Sequence, residues 1–580
     1  MTNPNHVVLK HSLADGSARW LNCSGPVDVV STHLCSEVLP ALQRIEQAVQ
    51  KGLYAAGFVS YEAAPAFDPA LRVNPQGSLP LLWFGLYEEV QESGEELNRA
   101  SPACALPTWK PSVTPDEYRD AIARIKDLIA GGETYQVNYS FRLRSPFRDS
   151  AWALFRQLHS AQNVPFAAFV DTGDHAICSA SPELFFGLDG NRITCRPMKG
   201  TAPRGLAWND DENRAASLQQ SEKNRAENIM IVDMMRNDLG RIAHTGSIGV
   251  PHLFEIERYR TLFQMTSTVT ALTDVSVADI FRALFPCSSV TGAPKVRTMQ
   301  IIAELEKSPR GIYTGAIGFI APGRKAQFNV AIRTVHVDRK AGLAEYGIGS
   351  GIVWDSDTRD EYDECRIKGV VLMDRLPEFS LLETLLWTKA GGYFLLEAHL
   401  LRLRNSAAYF GFRIDVQEIG RQLVQEARAF ESTRVRVRIL VDEHGDVRIE
   451  HTPLVSRRRV WRVALAHQPV DPANRFLYHK TTNRSVYEEA RAAFPEHDDV
   501  ILWNAGREVT ESSIANLVVR RDGHLITPPV DCGLLPGVYR KHLLEKKRIH
   551  EARITVDELA RADAIFLVNS VRGWIPCRLS

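Results

Sequence analysis

The apolar positions along the 580 residues fall into two textures that alternate. One repeats at three to four residues and predicts amphipathic helices over 37–50, 221–239, 296–306, roughly 358–374, and 397–411. A further helix begins at Pro115, with Thr114 as its N-cap and Tyr118, Ile122, Ile125 and Ile129 along one face. For the helix that opens after Ser221, Ser221 is the expected N-cap and Gly240 the expected C-cap. The other texture is short and rich in branched or aromatic residues, and it predicts strands at 164–170, 176–179, 184–188 and 193–196. Strands also dominate 311–337, where Gly315 and Gly318 interrupt the apolar run, and recur near 382–396 and 433–451.

Two seams divide this pattern. Residues 101–115 carry four prolines and read as an exposed connector. The second seam is Arg375-Leu376-Pro377-Glu378, after which the alternation starts again. The expected parts are therefore 1–100, 115–375 and 377–580. The expected fold class is α+β in both large parts, since helices and strands mix without a strict βαβ alternation.

Composition narrows the function more than the fold. Lys+Arg and Asp+Glu both number 69, so the formal net charge is zero, which argues against a general basic field for nucleic acid. The nine cysteines show no paired CxxC spacing, which fits reduced thiols and neither a disulfide framework nor a zinc site. Residues 1–6 lack a basic stretch followed by an apolar one, and no apolar run approaches the ~18 residues of a membrane span. The expectation is a cytoplasmic enzyme with neither membrane nor nucleic-acid partners.

Three stretches of the first part carry candidate chemistry. Lys199 stands in Arg196-Pro197-Met198-Lys199-Gly200-Thr201, beside a hydroxyl at a glycine-bearing turn. Taken singly it also fits a solvated surface lysine; desolvated in a pocket, a lysine becomes a nucleophile. Glu227 shares a helical face with Asn224, Ile231, Met235 and Asp238, and Glu361, Glu364 and Lys368 stack at helical spacing. Either set also reads as a solvated helix face. Were Glu227 and Glu364 to converge, they would suit Mg²⁺, a hard cation that takes carboxylate and substrate oxygens.

In order and context these stretches resemble the chorismate-utilising enzymes over roughly 115–375. The resemblance also rests on Tyr135-Gln136-Val137-Asn138, Ser181-Pro182-Glu183, Ser289-Val290-Thr291-Gly292, Tyr313-Thr314-Gly315, Ala331-Ile332-Arg333 and 347–353. Lys at 199, where anthranilate synthases usually carry Ala, makes the stretch similar to the aminodeoxychorismate synthase component I branch. That resemblance implies Lys199 as nucleophile, Glu183 as general acid, and Mg²⁺ held through Glu227 and Glu364. It implies Thr201, Ser289, Tyr313, Arg333, Gly349 and Lys368 as substrate-binding residues, with glycines 347, 349 and 351 admitting a carboxylate to backbone N–H groups. The implied substrate is chorismate, with ammonia from a glutamine amidotransferase subunit. Two positions depart from the pattern: Gln264 stands at a His position, and Cys287-Ser288 replaces a glycine pair. Gln264 would supply a hydrogen bond where a histidine could also move a proton. No tryptophan-binding regulatory pattern is legible in 1–98.

The second part holds a separate set: Arg402 on a helix, His479-Lys480-Thr481-Thr482-Asn483-Arg484, Glu511 at a strand end, Gly537-Val538-Tyr539-Arg540, and Asn569-Ser570. As a set they resemble class IV pyridoxal-phosphate enzymes, a group that includes aminodeoxychorismate lyase, and imply a two-lobed aminotransferase-like α+β domain. The resemblance implies pyridoxal 5′-phosphate bonded by Lys480, with Glu511 on its ring nitrogen and Arg402, Ser570 and the Val538 backbone on its phosphate. Tyr539 replaces a small hydroxyl residue common at that position. A homodimer through this domain is expected. The class alone does not choose between lyase and aminotransferase; the fusion favours a lyase that consumes the first part's product. The competing expectation is an anthranilate-type synthase fused to an amino acid aminotransferase.

Overall fold

The computed structural model describes residues 4–12, 18–93, 107–162, 164–372, 377–455 and 459–580. The chain divides into two compact units, Met1–Pro203 with Ala215–Leu376, and Arg204–Arg214 with Pro377–Ser580.

The first unit is built on two antiparallel ten-stranded sheets. One runs through Gln136–Pro146, Leu343–Ile352, Thr334–Asp338, His175–Ser181, Phe166–Asp171, His6–Ser12 and Ala18–Cys23. The other runs through Met198–Pro203, Leu262–Leu272, Arg192–Arg196, Leu184–Asp189, Lys325–Val330, Ala316–Ala321, Tyr54–Val59 and Leu82–Tyr87. Their facing sides share one core, in which Val7, Leu21 and Ile177 of the first sheet meet Phe58, Trp83 and Ile317 of the second. Strands alternate their side chains, so each sheet presents a second apolar face that must also be covered. Helices Cys35–Gln50, Glu222–Gly240 and Val277–Leu284 cover the outer face of the second sheet. Helices Pro115–Ala130, Ala151–Gln162, Lys295–Leu305 and Thr358–Gly369 cover the outer face of the first. The N-terminal residues thus add strands to both sheets.

Helix starts follow local chemistry. The Thr114 hydroxyl accepts from Glu117 N at 3.2 Å while the Glu117 carboxylate accepts from Thr114 N at 2.9 Å, a reciprocal cap worth about 1 kcal/mol. Asp357 caps Thr358–Gly369 through Arg359 N and Asp360 N.

Several expected boundaries differ. Gly240 lies inside its helix, which Arg241 caps. The last helix of this unit stops at Gly369 and tightens into a 3₁₀ turn, Val370–Leu372. The expected strand at 382–396 is two strands, Leu381–Thr388 and Gly392–Tyr393, because a turn through Gly391 and Gly392 folds the segment back on itself. Helix Trp208–Gln220 escaped the periodicity because its apolar positions are sparse. Within the 101–115 seam, 101–106 lie outside the described residues; beyond them Val113 is buried and Lys110–Pro111 pairs with Gln136–Pro146. The seam's C-terminal half is therefore tied to the first sheet.

The second unit has two lobes. The first is a four-stranded antiparallel sheet, Gly392–Tyr393, Leu381–Thr388, Arg434–Val441 and Val447–Pro453, whose core it shares with helices Leu396–Phe410 and Val416–Glu426. The second is an eight-stranded mixed sheet in which Val509–Ser512 pairs both with Asp499–Trp503 and with Asn516–Arg521, closing six strands into a ring. Arg204–Arg214 belongs to this unit: the Arg204 guanidinium lies 4.4 Å over the Tyr409 ring, and Tyr409 OH donates to Gly205 O at 2.8 Å. Among the described residues no helix is long and apolar enough to cross a membrane, and the eight described cysteines are free.

Candidate active sites

In the first unit a cavity of about 290 Å³ opens where the two sheets and helices Glu222–Gly240 and Thr358–Gly369 meet. Lys199, Glu183, Thr201, Ser289, Tyr313, Arg333, Gly349, Lys368, Glu227 and Glu364 all line it.

Lys199 projects from strand Met198–Pro203, whose register against Leu262–Leu272 shifts between Met198 and Thr201. Gln264 fastens that irregular turn, donating to Gly200 O at 3.0 Å and accepting from the Thr201 hydroxyl at 3.3 Å. The Gln264 side chain therefore works here as a hydrogen-bonding brace. Lys199 Nζ lies 4.0 Å from a Glu227 oxygen. A Cβ on Gly351 would stand 2.1 Å from Lys199 Nζ, and one on Gly347 would stand 2.1 Å from Tyr313 Cγ. Both glycines thus make room for side chains.

Glu183 is fully enclosed and accepts from Ser289 Oγ at 2.5 Å. Burial pushes its pKa up to about 7, against the opposing pull of Ser289 and Lys199. A carboxyl in this state carries a proton near neutrality and can give it up, which is what a general acid needs.

Positive charge gathers on the other side. Arg333 is buried, has no acid within ion-pair range among the described residues, and donates to Gln162 at 2.8 Å. Burial holds its pKa below the ordinary guanidinium value, so a bound anion would relieve it. Lys368 donates to Glu364 at 2.6 Å and to Gly349 O at 3.0 Å. Burial works against the Lys368 charge, but Glu364 outweighs it and lifts the pKa to about 12. Burial would likewise raise Glu364, yet Lys368 holds it below its ordinary value. Glu227 is raised by burial first, with Glu361 and Glu364 adding like-charge repulsion.

This repulsion bears on a metal. Among the described residues no cluster of three or more His, Cys, Asp or Glu has metal-binding geometry. Glu227, Glu361 and Glu364 nevertheless line the same cavity, and the charges of Glu361 and Glu364 raise the cost of ionising Glu227. That donor set suits a hard cation completed by substrate oxygens.

Three contributors were not assigned from sequence. Gln136 is fully buried, both its amide atoms lack partners, and its Nε2 lies beside the Gly351–Lys199 contact. Asn138 Nδ2 is likewise unpartnered and Asn138 lines the cavity. Period-two alternation along Gln136–Pro146 puts both on one face, a signal that was available. Glu361 lines the cavity too, with its carboxylate accepting from Ser356 at 2.7 Å. Asp238 does not line it: that carboxylate is taken by Lys295 and Ser288, each at 2.8 Å.

In the second unit a cavity of about 270 Å³ lies between the lobes, and Arg402, Lys480, Glu511, Val538 and Ser570 line it. Lys480 is clamped at its backbone, where Leu382 N donates to Lys480 O at 2.9 Å. The His479 ring before it lies 4.1 Å from the Tyr409 ring, tilted by 31°, and is bonded to Ser406 and Leu206 O. Burial, then Arg402 and Arg484, bring the Lys480 amine down to about 8. Glu511 accepts from Tyr487 OH at 2.8 Å, Leu535 N at 3.0 Å and Asn516 at 3.1 Å, while burial pushes it up to about 7.

Arg402 is held bidentately by Glu383, with both contacts at 2.7 Å. His399 joins the same glutamate to the Ser570 hydroxyl, at 2.7 and 2.9 Å. Burial opposes the Glu383 charge, but Arg402 and His399 hold it at about 2. Helix Val538–Glu545 starts at Gly537 and presents its first N–H groups near these side chains. A fixed guanidinium, a hydroxyl and a helix start fit a phosphate, and a buried carboxyl beside a lysine fits a pyridine ring with an aldehyde. These residues therefore fit pyridoxal phosphate. Tyr539 lines the cavity and packs its ring on Phe394 and His542.

Comparisons with known proteins match each half of the chain to a family. The family profile "chorismate binding enzyme" matches residues 12–374, and "Amino-transferase class IV" matches 380–579. Aminodeoxychorismate synthase component 1 of Salmonella typhimurium is 41% identical over 258 residues, which is 44% of this chain and 56% of that protein. The Bacillus subtilis protein of the same name is 39% identical over 273 residues, 47% of this chain and 57% of that protein. The chain thus spans little more than half the length of these relatives. Anthranilate synthase component I from Streptococcus pneumoniae shares the fold, with a TM-score of 0.54 at 24% identity over 64% of this chain and 93% of that one. The chain belongs to the chorismate binding enzymes, and its second unit is an aminotransferase-like domain of class IV.

Proposed function

We propose that this chain makes p-aminobenzoate in two steps: amination of chorismate to 4-amino-4-deoxychorismate, then elimination of pyruvate. The observation that carries the reading is Lys199, placed in one cavity with Glu183, whose carboxyl burial pushes up to about 7, and with Arg333, which has no acid within ion-pair distance among the described residues. Lys199 Nζ attacks C2 of chorismate as the C4–oxygen bond breaks, and Glu183 gives its proton to the departing hydroxyl. Ammonia then adds at C4 and the C2–Lys199 bond breaks, restoring the amine. Arg333 and Lys368 answer one substrate carboxylate. Mg²⁺ held by Glu227 and Glu364 would neutralise the other. The relatives named component 1 support a separate glutamine amidotransferase subunit as the ammonia source.

In the second unit pyridoxal phosphate, when bound, supplies an electron sink. Arg402, Ser570 and the Gly537–Val538 backbone hold its phosphate, and Glu511 keeps its ring nitrogen protonated. Lys480 takes the C4 proton of the substrate, pyruvate leaves, and the ring becomes aromatic. The coupling of the two units supports a lyase, since the first step makes the second step's substrate.

The test is product identification from chorismate, Mg²⁺ and ammonium, with and without pyridoxal phosphate. Aminodeoxychorismate without the cofactor and p-aminobenzoate with it are expected. Anthranilate as the main product overturns the first step, and aminodeoxychorismate that persists with the cofactor bound overturns the second.

A further inference from the structure

The cavity of the second unit carries more positive charge than the cofactor needs. Five arginines line it, and Glu511 is the one acid in its lining. Arg402 is answered by Glu383, and Arg438 by Glu450 at 3.0 Å. Arg436, Arg484 and Arg572 face no acid within ion-pair distance among the described residues.

Each of the three comes from a different part of the unit. Arg436 stands two residues before Arg438 on strand Arg434–Val441, so both point to the same face of the four-stranded sheet. Arg484 precedes helix Ser485–Ala492, lies 4.7 Å over the Tyr487 ring and donates to Ser513 O. Arg572 sits in the turn before strand Gly573–Leu579, with its guanidinium 5.7 Å from the Trp461 ring. Aromatic rings beneath two of the guanidiniums restrict their planes and leave their edges for a ligand.

Arg436 and Arg572 are exposed and Arg484 is half-buried, so water screens part of their mutual repulsion, and an anion held between them would answer it further. A phosphate bound at Arg402 and Ser570 would leave Arg436, Arg484 and Arg572 unmatched. An amine with a single carboxylate covers one guanidinium fork; a substrate with two carboxylates covers two. We propose that Arg436, Arg484 and Arg572 form a dicarboxylate subsite, which selects a cyclic amine bearing two carboxylates over a monocarboxylic amino acid. This rests on the lyase reading above and extends it to the residues that choose the substrate.

The test uses the full chain loaded with pyridoxal phosphate. Isophthalate and benzoate are titrated while the cofactor's absorbance is followed, because that band reports the second site alone. Wild type is expected to bind isophthalate at least ~10-fold tighter than benzoate, each carboxylate–guanidinium fork contributing a charge-assisted pair. Arg436→Ala with Arg572→Ala should erase that preference and leave the cofactor band unshifted. Arg438→Ala, whose charge Glu450 already answers, should keep it. For turnover of aminodeoxychorismate, Arg436→Ala should raise KM ~10-fold with a smaller change in kcat, and Arg436→Lys should recover part of the loss. Equal binding of the two acids by wild type overturns the subsite whatever the turnover shows. Wild-type release of p-aminobenzoate with an unchanged KM in Arg436→Ala and Arg572→Ala overturns the subsite and leaves the lyase reading standing. A preference for isophthalate without any p-aminobenzoate release upholds the subsite and overturns the lyase.

Discussion

The two cavities use the same residue types in opposite electrostatic settings. Each is under 300 Å³, and each sets a candidate catalytic lysine in one lining with a buried glutamate pushed up to about 7. Lys199 faces carboxylates, with Glu227 4.0 Å away and Glu364 on the same wall. Lys480 faces Arg402 and Arg484, which together with burial bring its amine down to about 8. Glu183 meets a hydroxyl, a thiol and the Met198 backbone N–H, whereas Glu511 meets a tyrosine, an amide and a backbone N–H. The two glutamates are thus raised alike, and the sites differ in the charges set around their lysines.

The largest predicted effects separate the two lysines. Lys199→Ala should abolish amination of chorismate while leaving conversion of added aminodeoxychorismate intact. Lys480→Ala should do the reverse, removing the cofactor's protein-bound absorbance and causing aminodeoxychorismate to accumulate. Continued p-aminobenzoate release from chorismate by either variant would break the comparison. Next in size is Glu183→Gln, which keeps the shape and removes the proton; the first step should slow by ~10²–10⁴-fold. Gly351→Ala crowds Lys199 Nζ and should cost that step ~10²-fold, with the second step unchanged in the same preparation.

The pH profiles sharpen the contrast. Glu183 has a raised pKa, so its acid form is full well below 7 and is lost as pH rises through about 7. The kcat/KM of the first step should therefore fall ~10-fold per unit above about 7, a limb absent from Glu183→Gln. Lys480 has a lowered pKa, so its neutral amine accumulates as pH rises to about 8. Capture of pyridoxal phosphate by the cofactor-free protein should climb to a plateau above about 8, as followed by absorbance. The smallest effect belongs to Gln264→Ala. It removes the brace on Gly200 O and should raise KM for chorismate several-fold with a lesser loss of kcat; a loss confined to kcat would refute a bracing role.

Much of the fold was legible because its strands and most helices bury one regular face. The helix at Pro115–Ala130 carried its apolar stripe, its proline and both halves of its capping box within one stretch. Helix Trp208–Gln220 was hidden because it buries little, and Leu381–Thr388 with Gly392–Tyr393 was run together because a glycine turn inside an apolar run breaks no pattern. In the sites, motif positions were readable one at a time. Gln136, Asn138 and Glu361 were overlooked because a neutral amide or one more acid on a helix has no chemistry until its neighbours are known.

Sequence alone determined the inventory: a lysine at 199 where a close relative branch has alanine, a second lysine at 480, and a restart of the pattern near 377. It also determined where strands run, because alternation and branching are local properties of the chain. Only tertiary structure decided that Glu183 and Ser289, 106 residues apart, share a 2.5 Å hydrogen bond, and that Glu183 is sealed from water. It alone decided that Lys480 sits among arginines and that three of the arginines around its cavity have no acid within ion-pair distance among the described residues. The reason is that proton affinity and anion binding depend on which groups approach through space and how much solvent they exclude, and neither quantity is written in the spacing of residues along a chain.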